Sequence, residues 1–406
     1  MENSEALVKS IDVLAAVEQP YDRRSSADWN AAMRRFYNVF PYPGRPLLVL
    51  PQVDQMALSH LGFASLLARG EQEWARKAWK YFHPGARIAA GSSLSLRSRA
   101  DARLVRQVIE AASMSTEPKR LLLAGCGTDE AVLYGALHPK AQIEAVDLSA
   151  RSLIRARLKW ALYRILNPMT VALPVLRRLR LRQRKGPGPV SGSMRFVCSD
   201  VLSWLDFGNP KVGGGGGRSP RSYDHIVCFG VLHHQLDPRA FFEGLVRSLQ
   251  GNGTMRLMIY SRSGRSIERL SQRLFTRSYE NSDRATTYRP PILRIFFRAL
   301  MLKLWIMRSR LLNSNTASHR FRYLGVGPSL APVADALLHP CDPGLDPELL
   351  GKWIAQLGLR LVYCAAKSGR DGWLVGIDEP MQTWESILER ERAADLISNI
   401  ELIIAR

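Results

Sequence analysis

Between residues 120 and 260, short apolar runs alternate with helix-length amphipathic stretches, and this alternation constrains the fold more than any other feature of the chain. The runs 120–124, 142–147, 194–200, 223–232 and 253–260 have strand length. The stretches 129–137, 149–165 and 238–249 have helical periodicity. Strands that are apolar almost throughout need cover on both faces. The pattern therefore predicts a parallel sheet between two layers of helices. After a helical stretch at 346–357 come two more runs, 359–366 and 373–377, joined by a turn containing Gly369 and Gly372. They read as a hairpin, which puts an antiparallel strand at the end of the sheet. The last stretch, 380–405, reads as an amphipathic helix.

The remaining segments divide the chain. Residues 1–115 are mainly helical in pattern, interrupted at FPYPGRPLLVLP (40–51), whose four prolines oppose a continuous helix. The core follows at 116–261. A basic helical insertion spans 262–345, the core is completed at 346–378, and 379–406 forms a terminal segment. A run of five glycines, 213–217, is a linker between the third and fourth strands.

Composition excludes several classes. The five cysteines (126, 198, 228, 341, 364) form no C-x-x-C pair, which argues for reduced thiols and against a disulfide framework or structural zinc. No other metal-ligand spacing is visible. No basic n-region precedes an apolar run at the N-terminus, so no signal peptide is expected. The apolar-rich stretch 292–307 is broken by Arg294, Arg298 and Lys303 and falls short of a membrane span. A cytoplasmic protein is expected. The net charge of +21 sits in two blocks: 151–188 holds eleven Arg/Lys and no acid, and 262–323 holds fourteen against three acids. Both blocks mix arginine with large apolar residues. That mixture suits an anionic membrane surface, touched peripherally, or an anionic lipid-like ligand. Nucleic acid is the alternative partner, since phosphates need only cations at suitable spacing, and solvated arginine faces with no partner are the third reading.

The first strand ends in LLLAGCGTDE (121–130). Gly125 and Gly127 let a ligand approach the backbone at a strand end. Asp147 lies twenty residues beyond Gly127 at the end of the second strand, where an acid can hold both ribose hydroxyls. Asp200 ends the third strand, placed to accept from an adenine amino group, with Val201 beside it to pack on the ring. Either acid can instead cap the helix that follows it. Asp129 and Glu130 would repel a pyrophosphate, and Glu130 replaces the last glycine of a dinucleotide fingerprint. Carboxylates there favour a ligand with a ribose and an adenine, no phosphate, and positive charge.

These segments, with EAVDLS (144–149), CSDVLSW (198–204) and YDHIVCFGVLHHQLDP (223–238), resemble the successive motifs of class I S-adenosylmethionine-dependent methyltransferases of the bacterial small-molecule type. The resemblance covers roughly 100–378. FYNVFPYPGRP (36–46) and DALLHPCDP (335–343) are similar to flanking segments of some of these enzymes. It implies a Rossmann-like three-layer α/β/α sandwich whose seven-stranded sheet has an antiparallel last strand. The implied cofactor is S-adenosylmethionine. Gly125, Cys126, Gly127 and Asp129 would contact it from the first turn, Asp147 and Leu148 from the second strand end, Asp200 and Val201 from the third. Phe229, Gly230 and Val231 would line it from the fourth. His233 and His234 follow, on the acceptor side of the turn; one of them is a candidate base, the alternative being that both pack and hydrogen-bond locally. Tyr37 and Tyr42 are placed to close over the pocket. Two positions depart from the family: Leu123 stands where an acid is usual, and Asp129 where a third glycine is usual. The expected reaction is in-line methyl transfer to a small or lipid-like acceptor. The alternatives are an RNA methyltransferase and a non-catalytic S-adenosylmethionine-binding protein.

Overall fold

The computed structural model describes residues 26–44, 120–172, 192–206, 221–265, 292–311, 329–368, 372–376, 379–393 and 397–406, with Pro139 and Cys341 excepted and a few isolated positions elsewhere. The expected helix at 98–113, the glycine linker and the basic stretch 173–188 lie outside these residues.

The sheet has eight strands: β1 (Arg120–Ala124), β2 (Gln142–Asp147), β3 (Met194–Cys198), β4 (Tyr223–Phe229), β5 (Leu249–Tyr260), β6 (Arg360–Ser368), β7 (Gly372–Gly376) and β8 (Ile397–Ala405). Their spatial order is 3-2-1-4-5-8-6-7. The first five run parallel. β8 enters antiparallel between β5 and β6, and β7 pairs antiparallel with β6. The α/β architecture and its late antiparallel strands are as expected, with one strand more than the seven anticipated.

The extra strand comes from the terminal segment. Instead of one helix over 380–405, a helix at Pro380–Arg392 is followed by β8. The reason is composition. Ile397, Ile400, Leu402, Ile403 and Ile404 supply mostly β-branched residues to a strand buried on both faces, where that side-chain shape packs well.

Side chains of β1 show how the layers form. Leu121 and Leu123 pack with Leu133, Tyr134, Leu153 and Ala156, which belong to α2 (Glu130–Leu137) and α3 (Ala150–Ala172). Leu122 and Ala124 point the other way, into a cluster with Trp204, Phe242 and Trp353. That cluster joins α4 (Val201–Asp206), α5 (Pro238–Arg247) and α8 (Pro347–Gln356), together with Trp384 of the terminal helix, α9 (Pro380–Arg392). Fully burying one such leucine stabilises by roughly 1.5–3 kcal/mol.

A third group of helices belongs to neither layer but rests on one of them, where Asn38 accepts from Ser149 Oγ at 3.0 Å. α1 (Ser26–Val39) and the residue after it bury Phe36 and Phe40 against Ala299 and Ile306 of α6 (Ile292–Leu311) and Val333 and Leu337 of α7 (Ala331–Leu337). Its other face packs Trp29 and Met33 near Leu148. Sequence order reverses between β1 and β4, the point where open α/β sheets leave a crevice at the carboxyl ends of their strands. This helical group closes over that crevice.

Candidate active site

The crevice is a cleft of about 940 Å³ counting its open mouth. Gly125, Gly127, Asp147 and Leu148 line it from the ends of β1 and β2. Asp200 and Val201 line it after β3, and Phe229, Gly230, Val231 and His234 after β4. Four strand ends that the sequence singled out separately thus meet in one cavity. Tyr37 and Tyr42 line its other wall.

The glycine turn is held by backbone bonds. Gly125 N and Cys126 N both donate to Val146 O, at 2.8 and 3.1 Å. Gly125 and Gly127 have φ of +74° and +55°, a region that costs other residues about 1–2 kcal/mol. Space gives a second reason for glycine. A Cβ on Gly127 would stand 2.7 Å from the carbonyl oxygen of Tyr42. That carbonyl accepts from Thr128 N at 3.0 Å, so the first segment rests directly on the turn.

Asp147 links the turn to β2. Its Oδ2 accepts from Gly127 N at 2.9 Å and its Oδ1 from Ser149 N at 2.7 Å. Each oxygen keeps a further lone pair for a ligand hydroxyl. Burial pushes the carboxyl up to about 6, against the opposing pull of those two N–H groups. Asp200 also has two attachments: Oδ1 accepts from Ser203 N at 2.9 Å, capping α4, and Oδ2 lies 3.5 Å from Nδ2 of Asn30. Capping and cleft lining are therefore compatible at this residue.

Three expected residues do not line the cleft. Cys126 is fully buried with Leu121 and Leu133 on the opposite face of the sheet. Asp129 pairs with the wholly buried ammonium of Lys159 in α3 and accepts from Thr128 Oγ1 at 3.1 Å. The register of the turn explains both. Once Gly127 N bonds Asp147, the next residues start α2 and face the helical layer. Glu130 follows Asp129 inward, where burial pushes it up to about 8 despite the nearby Arg256. Leu123 is likewise buried away from the cleft. His233 is the third correction. It is fully buried, its Nδ1 accepts from Tyr260 N at 3.2 Å, and burial lowers it well below the usual histidine range.

His234 is the histidine at the cleft wall. Its carbonyl accepts from Trp29 Nε1 at 2.9 Å, its ring stacks on His339 at 4.1 Å between centroids, and Asp342 lies 3.9 Å from its Nδ1. Asp342 is in turn 3.4 Å from Nε of Arg265. Asp335, on α7, completes this wall and accepts from the hydroxyl of Tyr37 at 3.1 Å. Trp29 and Asp335 lie far from any of these strand ends in sequence, and Tyr260, the last residue of β5, was not singled out. The signal for Asp335, His339 and Asp342 was the segment DALLHPCDP, which contains all three.

Fold and cleft together place the chain among Rossmann-like α/β proteins. No family model matches the sequence. It is 27% identical over 260 residues to syc1184_c, an uncharacterised protein of Synechococcus sp., a match covering 63% of this chain and 49% of that protein. The chain thus spans about half the length of this relative. Among solved structures it is similar to PKMT2 from Rickettsia typhi in complex with AdoHcy, with 13% identity, 71% of this chain and 49% of that one covered, and a TM-score of 0.39. It is also similar to the plantazolicin methyltransferase BpumL in complex with SAH, with 9% identity, 94% and 97% covered, and a TM-score of 0.35. Likenesses this distant leave the functional argument to the cleft's own residues.

Proposed function

We propose that this protein transfers a methyl group from S-adenosylmethionine to a small or lipid-like acceptor. The observation that carries the reading is the charge of the cleft. Among the described residues its charged lining is Asp147, Asp200 and Asp335, and no Lys or Arg lines it, in a chain of net charge +21. A nucleotide cofactor with a pyrophosphate would meet three carboxylates and no cation. A nucleoside bearing a sulfonium and an ammonium suits the same lining. Asp147 would accept from the ribose hydroxyls, Asp200 from the adenine amino group, and Val201 and Phe229 would pack on the ring. When bound, the cofactor supplies an electrophilic methyl. The protein's share is alignment, exclusion of water, and a base at the acceptor, for which His234 is placed.

The reading is tested with S-adenosylmethionine labelled on its methyl group, incubated with the protein and an extract of its source cells. Label is expected in the small-molecule or organic fraction, and not with Asp147→Ala. Label in RNA would reassign the acceptor. Cofactor binding without any transferred label would leave a binding protein.

We propose an anionic membrane surface as the place where the acceptor is met. α6 buries Ala299 and Ile306, yet on its opposite side Phe297, Met301, Leu304 and Trp305 are 49–61% exposed. A helix apolar on both sides normally has cover on both. Its sequence holds five cations and no acid, the composition of a helix lying in a membrane interface. It is too interrupted to cross one: no described helix is long and apolar enough. The wild-type protein is expected to sediment with vesicles containing phosphatidylglycerol and much less with phosphatidylcholine alone. Phe297→Glu with Trp305→Glu should cut this at least about tenfold. A wild type that stays in the supernatant with both vesicles would sink the idea.

A further inference from the structure

The acceptor end of the cleft has a chemistry of its own. Asp147 and Asp200 sit at the strand ends and are accounted for by a nucleoside. Asp335 is not. It comes from α7, on the far wall beside His234, and is 6% exposed. Burial raises its carboxyl above the usual range even with His234 and Arg265 nearby, so a cation arriving there would be favoured.

His234, His339 and Asp335 bring ligating atoms within 4.8 Å of one another, and so do His233, His234 and Asp342. Neither group converges on a metal ion. The rings of His234 and His339 stack with 26° between their planes, and His339 Nε2 already bonds the hydroxyl of Tyr37 at 3.0 Å. In the second group His233 Nδ1 already accepts from Tyr260 N, and the Arg265 guanidinium lies against Asp342. An ammonium fits better. It carries three N–H donors, and a nitrogen at ordinary hydrogen-bond length reaches two acceptors less than 4.8 Å apart. The wall around it is aromatic, formed by Trp29, Tyr37, Tyr42 and Tyr260, and ring faces attract cations.

We propose that the methyl acceptor is an amine, bound as its ammonium between Asp335 and His234. This rests on the methyl-transfer reading and names its substrate class. His234 takes one proton from the ammonium and becomes an imidazolium flanked by Asp335 and Asp342. The freed nitrogen lone pair forms the new N–C bond as the C–S bond breaks, and that bonding pair stays on sulfur. The product leaves as a methylated ammonium and a neutral thioether. Tyr37 is a positioning residue here. Its hydroxyl lies 3.1 Å from Asp335 Oδ1 and 3.0 Å from His339 Nε2, which fixes the carboxylate toward the cleft.

The test is binding of three probes with one hydrocarbon chain and different heads: hexylamine, hexanol and hexanoate. Each is titrated by calorimetry near neutral pH into the protein saturated with S-adenosylhomocysteine. Hexylamine is expected to bind at least about tenfold more tightly than either other probe, the scale of one charge-assisted hydrogen bond. Asp335→Asn should remove that preference while S-adenosylhomocysteine affinity stays within about threefold. Equal binding of the three probes, binding of none, or preference for hexanoate would overturn the proposal. So would a preference that survives in Asp335→Asn. Loss of S-adenosylhomocysteine affinity in that variant would also overturn it, by assigning Asp335 to the cofactor's own amino group. If the wild-type protein fails to bind S-adenosylhomocysteine at all, it is the methyl-transfer reading that falls.

Discussion

Replacing Asp147 by alanine is expected to weaken S-adenosylhomocysteine binding at least about a hundredfold. The carboxylate would give two hydrogen bonds to ribose hydroxyls, each worth roughly 1.5–3 kcal/mol when the acceptor is charged. The substitution also removes the partners of Gly127 N and Ser149 N, so the turn loses its tie to β2. Asp147→Asn keeps the shape and should lose less. The wild type carries a pH signature of the same contact. Burial puts the carboxyl at about 6, and it is the ionised form that accepts from both hydroxyls. Affinity should therefore hold above that value and fall as pH drops through it, approaching tenfold per unit well below. Titration by calorimetry at several pH values measures both effects. A wild-type affinity flat across that range, or an alanine variant that binds normally, would remove Asp147 from the ribose site.

Lys159→Met should be the most destabilising single change among the residues discussed. The ammonium is wholly buried against Asp129, and removing one member of a buried pair leaves an uncompensated charge, at a cost of about 3–5 kcal/mol. In a chain of this size that lowers the melting temperature by about 4–6 °C. Pairing it with Asp129→Leu removes the stranded charge and should recover most of the loss. The double variant has a second use. It should bind S-adenosylhomocysteine within about threefold of wild type, because Asp129 faces α3 rather than the cleft. A large loss of affinity in a well-folded double variant would return Asp129 to the cofactor site.

Asp129 illustrates where reading the sequence stops. Gly125, Asp147 and Asp200 were legible because each ends or follows an apolar run, and Gly230 because it falls in the last residues of the run 223–232. The direction of the residue after the turn depends on how α2 starts, and that is decided by Lys159 thirty positions later. His233 and His234 are a similar case. Both follow β4, but the short helical turn at Leu232–His234 sends one ring under Tyr260 and the other to the cleft wall. β8 was missed for a different reason. An isoleucine-rich stretch after a good helix looks like its continuation until two strands are found to need a partner between them. The far wall had only one local signal: the segment DALLHPCDP marked Asp335, but nothing marked Trp29. Asp335 and Trp29 reach the cleft only through the packing of α1 against α7.

α1 touches the cleft towards both ends. Asn30 meets Asp200 where an adenine would lie, Tyr37 bonds Asp335 at the proposed acceptor side, and the segment continues to Tyr42 over the glycine turn. One stiff rod spanning two subsites makes their occupancy cooperative. Whichever ligand arrives first bears the entropy of settling the rod, and the second finds it already in place. Under the proposed methyl transfer, cofactor and acceptor would each raise the affinity of the other by the same factor.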